Sequence, residues 1–252
     1  MRLLTLARDL RRRKARERQS LFVAEGVRSV EELLRSPLVV RGVLTAPQLA
    51  DAPRGGALLE QIEASAIEHA KVNEAEFRGA AETDSPQGVL AIGEIPARAL
   101  GTLSGVSPLR LLVLDAIQDP GNVGTILRTS AALGADATVA LPGTVDLWNP
   151  KVVRSAMGAH FHSMAFHTTA DDLFAFLDAE SVPLWAAEAG GRGVESVEAP
   201  LRLALAVGNE GAGLSSSVRA RASGAVSVPI ARSVESLNVA VATAILLYQL
   251  RK

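Results

Sequence analysis

Leu109-Arg110-Leu111-Leu112-Val113-Leu114-Asp115-Ala116-Ile117, running on into Gln118-Asp119-Pro120-Gly121-Asn122-Val123-Gly124-Thr125, is the stretch whose reading decides the architecture. The first part is apolar except for Arg110 and Asp115, as a strand inside a covered sheet should be. A turn-prone Asp-Pro-Gly-Asn loop follows, and Thr125 to Leu133 then reads as a helix that carries Arg128 among mostly apolar or small residues. Outward from this unit the alternation continues. Ala137 to Leu141, Phe161 to Phe166, Pro183 to Ala187, Leu201 to Val207 and Ala225 to Ile230 are strand-like. Lys151 to Ala159, Asp171 to Ala179, Ser215 to Ala222 and Asn238 to about Leu250 are helical. Strand and helix in alternation imply an α/β fold, a parallel sheet with helices on both faces. Ligands of such sheets sit beyond the carboxyl ends of the strands, so the post-strand loops are where chemistry is expected.

The first half reads as a small mixed α/β domain. Phe22-Val23-Ala24, Val43-Leu44 and Gly88 to Ile92 are strand-like, and Gly26 to Leu34 has helical spacing. Pro96 to Pro108, rich in Ala, Gly, Ser and Pro, reads as a linker. Of the 252 residues 48% are apolar and 21% charged, with a net charge of −1, which fits a globular chain with a sizeable core. Cysteine is absent, which excludes disulfides, thiolate metal sites and cysteine nucleophiles. The charged N-terminus does not read as a signal peptide and no apolar run reaches membrane-span length, so a cytoplasmic location is expected. Charge is unevenly placed: Arg11, Arg12, Arg13, Lys14, Arg16 and Arg18 form a basic arm suited to neutralising phosphates. A solvated basic helix face is the plainer reading of the same arm.

Three post-strand loops stand out. In the first, Asn122 is placed to cap the helix that carries Arg128, and the free donors of a first helical turn tolerate anions. The second, Gly208-Asn209-Glu210-Gly211-Ala212-Gly213, lets backbone approach a ligand and sets a carboxylate among glycines. In the third, Val228 to Asn238, Ser236 and Asn238 flank Leu237 ahead of the last helix, and one of them can cap it.

Taken together, these residues resemble the SpoU, or TrmH, family of RNA ribose 2′-O-methyltransferases within the SPOUT class. The resemblance lies in Asp119-Pro120-Gly121-Asn122-Val123-Gly124-Thr125-Ile126-Leu127-Arg128-Thr129 and in Val207-Gly208-Asn209-Glu210-Gly211-Ala212-Gly213-Leu214. It continues in Val228-Pro229-Ile230 with Glu235-Ser236-Leu237-Asn238-Val239-Ala240, and more loosely in Asn149-Pro150-Lys151-Val152-Val153-Arg154-Ser155-Ala156-Met157-Gly158-Ala159. Ala156 stands where many relatives have serine. Phe22-Val23-Ala24-Glu25-Gly26 and Ser85-Pro86-Gln87-Gly88-Val89 resemble the family's N-terminal RNA-binding domain.

The resemblance implies an RNA substrate-binding domain over 1–97, a linker over 98–107 and a methyltransferase domain over 108–252. It also implies a C-terminal trefoil knot, a homodimer, and S-adenosylmethionine as methyl donor for a structured RNA, ribosomal rather than transfer RNA. Ala187, Gly208, Gly211, Val228, Ile230 and Leu237 would contact the donor. Asn122, Arg128, Glu210, Ser236 and Asn238 would carry the chemistry, with Glu210 orienting Arg128 or the nucleotide. No metal is called for, although His160, His162 and His167 invite one, since His160 and His162 would share a strand face. Trp148 and Trp185 are candidates for stacking, or for burial. Two rivals stand beside this reading. A non-catalytic RNA-binding protein of the same fold is one, to which the five intact polar positions are opposed. A dinucleotide-binding oxidoreductase is the other, and the loop after Ile117 lacks its glycine fingerprint.

Overall fold

The computed structural model describes residues 2–231 and 233–251, which form two compact units. The first contains α1 (Arg2–Asp9), α2 (Arg13–Gln19), β1 (Leu21–Glu25), α3 (Val27–Arg35), β2 (Val40–Thr45), α4 (Pro53–Glu63), β3 (His69–Lys71), α5 (Glu74–Arg78) and β4 (Val89–Glu94). Its sheet runs β1-β4-β2-β3, antiparallel except for the β2–β3 pair.

The basic arm is folded rather than free. Leu3, Leu4, Ala7 and Leu10 on the apolar face of α1 and just beyond it join Val23, Leu44, Phe77, Leu90 and Ile92 in one core. Arg16 corrects the expectation that it contacts RNA. It is 2% exposed, and its guanidinium donates to the carbonyls of Leu10 and Arg11, both at 2.8 Å. A cation committed to backbone carbonyls cannot reach a phosphate without leaving them unpaired. Arg11, Arg12, Arg13, Lys14 and Arg18 stay exposed. Arg11 pairs with Glu82, Arg13 with Glu17, and Arg12 and Arg18 with Asp9. Such exposed pairs are weak and exchangeable.

The second unit begins with β5 (Leu109–Asp115), α6 (Pro120–Ala132) and β6 (Ala137–Ala140). The chain then forms α7 (Pro150–Ala156) and α8 (Ala159–His162) before resuming the sheet. There follow β7 (Met164–His167), α9 (Ala170–Ala179), β8 (Leu184–Gly193), β9 (Arg202–Gly208), α10 (Ser216–Arg221), β10 (Gly224–Ser227) and α11 (Val239–Leu250). The strand order is β10-β8-β9-β5-β6-β7 and every pair is parallel. The α/β architecture with helices around a parallel sheet is therefore present. Asp115 of β5 lies opposite Gly208 of β9, which sets the two loops that follow them side by side. Arg110, an interruption in the apolar run, ties the strand's other end down: its Nε donates to the Leu250 carbonyl at 3.1 Å, a cation at a helix C-terminus.

Three expectations need correction. The segment expected as a linker holds a 3-10 turn, Leu100–Leu103, whose two leucines are buried in the core of the second unit. Phe161 to Phe166 is not one strand. Met157 and Gly158, with φ of 51° and 83°, end α7. The chain then makes the single turn of α8 before entering β7, so His160 and His162 share no strand face. Finally, Trp148–His162, expected within the second domain, clusters with the first unit. The cause is aromatic: Phe22 of β1 lies 4.4 Å from the Trp148 ring centroid and 5.4 Å from that of Phe161. Trp148 and Trp185, 5% and 9% exposed, are core residues. Among the described residues no helix is long and apolar enough to cross a membrane.

Candidate active site

The loop after β5 is held by Asp119. Its carboxylate accepts the Asn122 N–H at 2.7 Å and so caps α6, with Pro120 in the first helical position. Asn122 had been expected to be the cap. It sits one turn inside, and its side chain is released for other work. That side chain donates from Nδ2 to Glu210 Oε1 at 2.6 Å and accepts at Oδ1 from Asn238 Nδ2 at 2.9 Å. Asn238 caps α11, its Oδ1 accepting from Ala240 N at 2.9 Å and Val241 N at 3.3 Å. These bonds fix both amide orientations. Once the Asn238 oxygen is taken by helix N–H groups, its nitrogen must face the Asn122 oxygen, and the Asn122 nitrogen must face the carboxylate. One hydrogen-bond chain, Glu210–Asn122–Asn238, thus joins residues far apart in sequence. Asp119→Ala should cost about 1 kcal/mol in a urea titration. It should also lower activity, since the turn that aims Asn122 loses its anchor.

The Gly208–Gly213 loop is closed by an antiparallel bridge between Asn209 and Gly213. Asn209 Oδ1 accepts from Gly211 N at 3.0 Å and Ala212 N at 2.9 Å, while its Nδ2 donates to the Ala116 carbonyl at 3.0 Å. Ala116 has a φ of 57°, rare for a residue with a side chain, so the end of β5 is a strained turn stitched to the end of β9. Asp115, 4% exposed, adds a second stitch by accepting the Ser215 N–H at 2.6 Å.

Beyond these strand ends lies a cleft of about 390 Å³, within the range of small-molecule sites. Of the expected donor contacts, Ala187, Gly208, Val228, Ile230 and Leu237 line it, together with Glu210 and Ser236. Gly211 does not line it, since its N–H is spent within the Asn209 turn. Val228 and Ile230 were expected inside a strand. They reach the wall because β10 ends at Ser227. Ala187 to Ala189 reach it through an irregularity. Pairing of β8 with β10 jumps from Ala186↔Ala225 to Arg192↔Val226, so the intervening β8 residues bow away. A Cβ at Gly191 would lie 2.6 Å from Val226 backbone atoms, which makes that glycine the condition for the return. Glu188 and Glu235 also line the cleft, Glu188 paired with Arg219. Asn209, Glu188, Glu235 and Asp119 are the site residues that reasoning from the sequence missed. For Asn209 the available signal is an Asn directly after a glycine at a strand end.

Arg128 lies six residues beyond Asn122, about 120° round α6, on its exposed face with Gly121 and Thr125. It does not line the cleft, and the Glu210 carboxylate meets Asn122.

The SpoU rRNA Methylase family model matches residues 110–248, and the MRM3-like substrate binding domain matches residues 5–91. The chain is 36% identical to the 23S rRNA (guanosine(2553)-2′-O)-methyltransferase RlmP of Bacillus subtilis, over 97% of this chain and 94% of that protein. Among solved structures, the SpoU methyltransferase AviRb of Streptomyces viridochromogenes in complex with AdoMet superposes with a TM-score of 0.88 at 26% identity. That match covers 98% of this chain and 96% of the other. A TrmH-family protein of Porphyromonas gingivalis described as a putative RNA methyltransferase matches at 0.83 and 31% identity, covering 98% and 95%. From the sheet order, the cleft beyond the strand ends and these matches together, the chain belongs to the SpoU methylase family.

Proposed function

We propose that the protein transfers the methyl group of S-adenosylmethionine to a ribose 2′-hydroxyl of ribosomal RNA. The observation that carries this reading is the Glu210–Asn122–Asn238 chain at a cleft whose wall includes Glu210. The cleft suits this donor. A Cβ at Gly208 would lie 2.4 Å from Gly213 backbone, so only glycine lets the loop close there, and Gly208 lines the cleft with main chain alone. Glu188, Glu210 and Glu235 supply carboxylates around an otherwise largely apolar lining, complementary to an amphipathic cation. When bound, S-adenosylmethionine supplies an electrophilic methyl group on a sulfonium centre.

The chain's own residues then hold and activate the acceptor. A ribose hydroxyl is a poor nucleophile until its proton leaves or its anion is stabilised. Asn122, clamped at both ends of its amide, gives a rigid polar edge, so much of the rate enhancement comes from positioning. Arg128 clamps a neighbouring phosphate and stabilises charge developing on the oxygen. Ser236, exposed on the cleft wall, orients the ribose or the methionine end of the donor.

The same reading includes the knotted C-terminal path, a cytoplasmic setting and a homodimer. The dimer is supported by Val241, Ile245 and Tyr248, an apolar stripe at i, i+4 and i+7 on α11 whose first and last members are 50% and 48% exposed. The choice of ribosomal over transfer RNA is supported by the relative from Bacillus subtilis, named for 23S rRNA. The test is transfer of labelled methyl from S-adenosylmethionine into unmodified ribosomal and transfer RNA pools. Label on a ribose 2′-oxygen of ribosomal RNA is expected. Donor binding without label in either pool would favour the non-catalytic RNA-binding alternative.

A further inference from the structure

The motif Asn149–Ala159 contributes nothing to the cleft; it packs in the first unit. A Cβ at Gly158 would lie 2.5 Å from Glu32 Cβ, so the left-handed turn that ends α7 is pressed against α3. This places Arg154 beside the N-terminal end of α3. There Arg154, Met157, Glu25, Arg28, Ser29 and Gln87 are among the residues lining a second cleft, of about 270 Å³.

The polar groups of that cleft are nearly all donors. Glu25 is the one acid among the described residues that line it, and both its carboxylate oxygens already accept, from Glu82 N at 2.7 Å and from the Thr83 hydroxyl. Gln87 Oε1 is spent on Val27 N at 2.9 Å, which leaves the Gln87 amide nitrogen as a donor. The N–H groups of Arg28 and Ser29 lie in the first turn of α3, where no intrahelical acceptor exists. Arg28 and Arg154 are exposed; among the described residues neither guanidinium stands within ion-pair distance of an acid, and Arg28 acts only through space on Glu31, which Arg54 already pairs. Ser29 is the independent sign of a ligand. It lines the cleft and is 7% exposed, yet among the described residues its Oγ has no hydrogen-bond partner. Buried hydroxyls are nearly always satisfied, and an orphan in a wall of cations and free N–H groups is a place for an anion.

We propose that this cleft binds a phosphodiester of the substrate RNA, a contact in the first unit additional to the methyl-transfer cleft. The proposal rests on the reading of the protein as an RNA methyltransferase. Two guanidiniums, first-turn N–H groups and a buried hydroxyl match the acceptor oxygens of a phosphodiester and contain nothing that reads a base. The contact therefore adds affinity and register rather than sequence preference.

The experiment is a filter-binding titration of the full chain with an unmodified large-subunit ribosomal RNA transcript at several salt concentrations, without methyl donor. Arg28→Gln and Arg154→Gln should each weaken binding about tenfold and reduce the salt slope by about one. Ser29→Ala should weaken it about threefold without lowering the melting temperature, since that hydroxyl has no protein partner to lose. Arg35→Gln removes a charge from the last turn of the same helix and should leave the salt slope alone. Equal small effects of Arg28→Gln, Arg154→Gln and Arg35→Gln would overturn the proposal in favour of a diffuse basic surface. Displacement of the RNA by stoichiometric inorganic phosphate would overturn it in favour of a free-anion site. A wild-type chain that methylates ribosomal RNA while both arginine variants bind normally defeats this site alone. A wild-type chain that neither binds nor methylates RNA defeats the underlying reading with it.

Discussion

Arg128→Ala is expected to slow methyl transfer by about two to three orders of magnitude while leaving donor affinity within about twofold. The separation follows from where the side chain sits. Arg128 is on the exposed face of α6 and outside the lining of the donor cleft, so its loss removes nothing from the wall. Its chemistry restricts what it can do for the acceptor. A guanidinium offers five N–H donors in a planar fork and no lone pair, so it can stabilise an oxyanion or grip a phosphate but cannot collect the hydroxyl proton. Arg128→Lys keeps the charge and loses the fork, and an intermediate loss of about tenfold is expected. The pH dependence of the single-turnover rate separates the roles. A charge-stabilising arginine predicts that Arg128→Ala lowers the whole profile without moving its limbs. A proton-accepting one predicts that the rising limb disappears. Near-full activity in Arg128→Lys would defeat the bidentate clamp.

The cores of the sheet strands were legible because burial on both faces writes itself into composition. Leu109 to Asp115 and Arg202 to Gly208 are near-continuous apolar runs, and their adjacency sets the Asn122 and Glu210 loops side by side. The polar positions were legible for a related reason: Asn122, Glu210 and Asn238 stand at strand and helix ends where one polar group suffices for capping, and these loops hold more. What the pattern did not carry is tertiary choice between equivalent residues. Asp119 and Asn122 are both able N-caps three positions apart, and only the presence of Glu210 and Asn238 beside Asn122 decides between them. Arg16 reads like its basic neighbours until the carbonyls of Leu10 and Arg11 are found around it. The bow at Ala187–Ala189 is likewise silent in periodicity, because it depends on Gly191 returning against β10 from the far side of the irregularity. Trp148–His162 looked like one more strand-and-helix step, and the Phe22 ring that claims it lies more than a hundred residues upstream.

Gly208→Ala tests the part of the site that no side chain builds. At Gly208 an added methyl would sit 2.4 Å from the Gly213 carbonyl carbon, and 2.5 Å from both its oxygen and Leu214 N. These are backbone atoms, held by the two hydrogen bonds between Asn209 and Gly213 at 2.9 and 3.0 Å, so no flexible chain end can yield. Relief requires the bridge to open. Opening it moves Glu210, which lies inside the bridged loop, away from Asn122. A loss of about 2 kcal/mol in urea unfolding is expected from the overpacking. Donor affinity should fall by more than about tenfold, since the bare backbone wall is displaced. Gly211→Ala is the matched comparison within the same loop. Its added methyl would meet only Asn209 Oδ1, at an ordinary 3.7 Å, and it should be neutral within about 0.5 kcal/mol. If both variants behaved alike, the close approach at Gly208 would not be what shapes the donor wall. If Gly208→Ala alone lost donor binding together with the Asn122-dependent rate, the cleft and the hydrogen-bond chain would be two outcomes of one tight backbone turn.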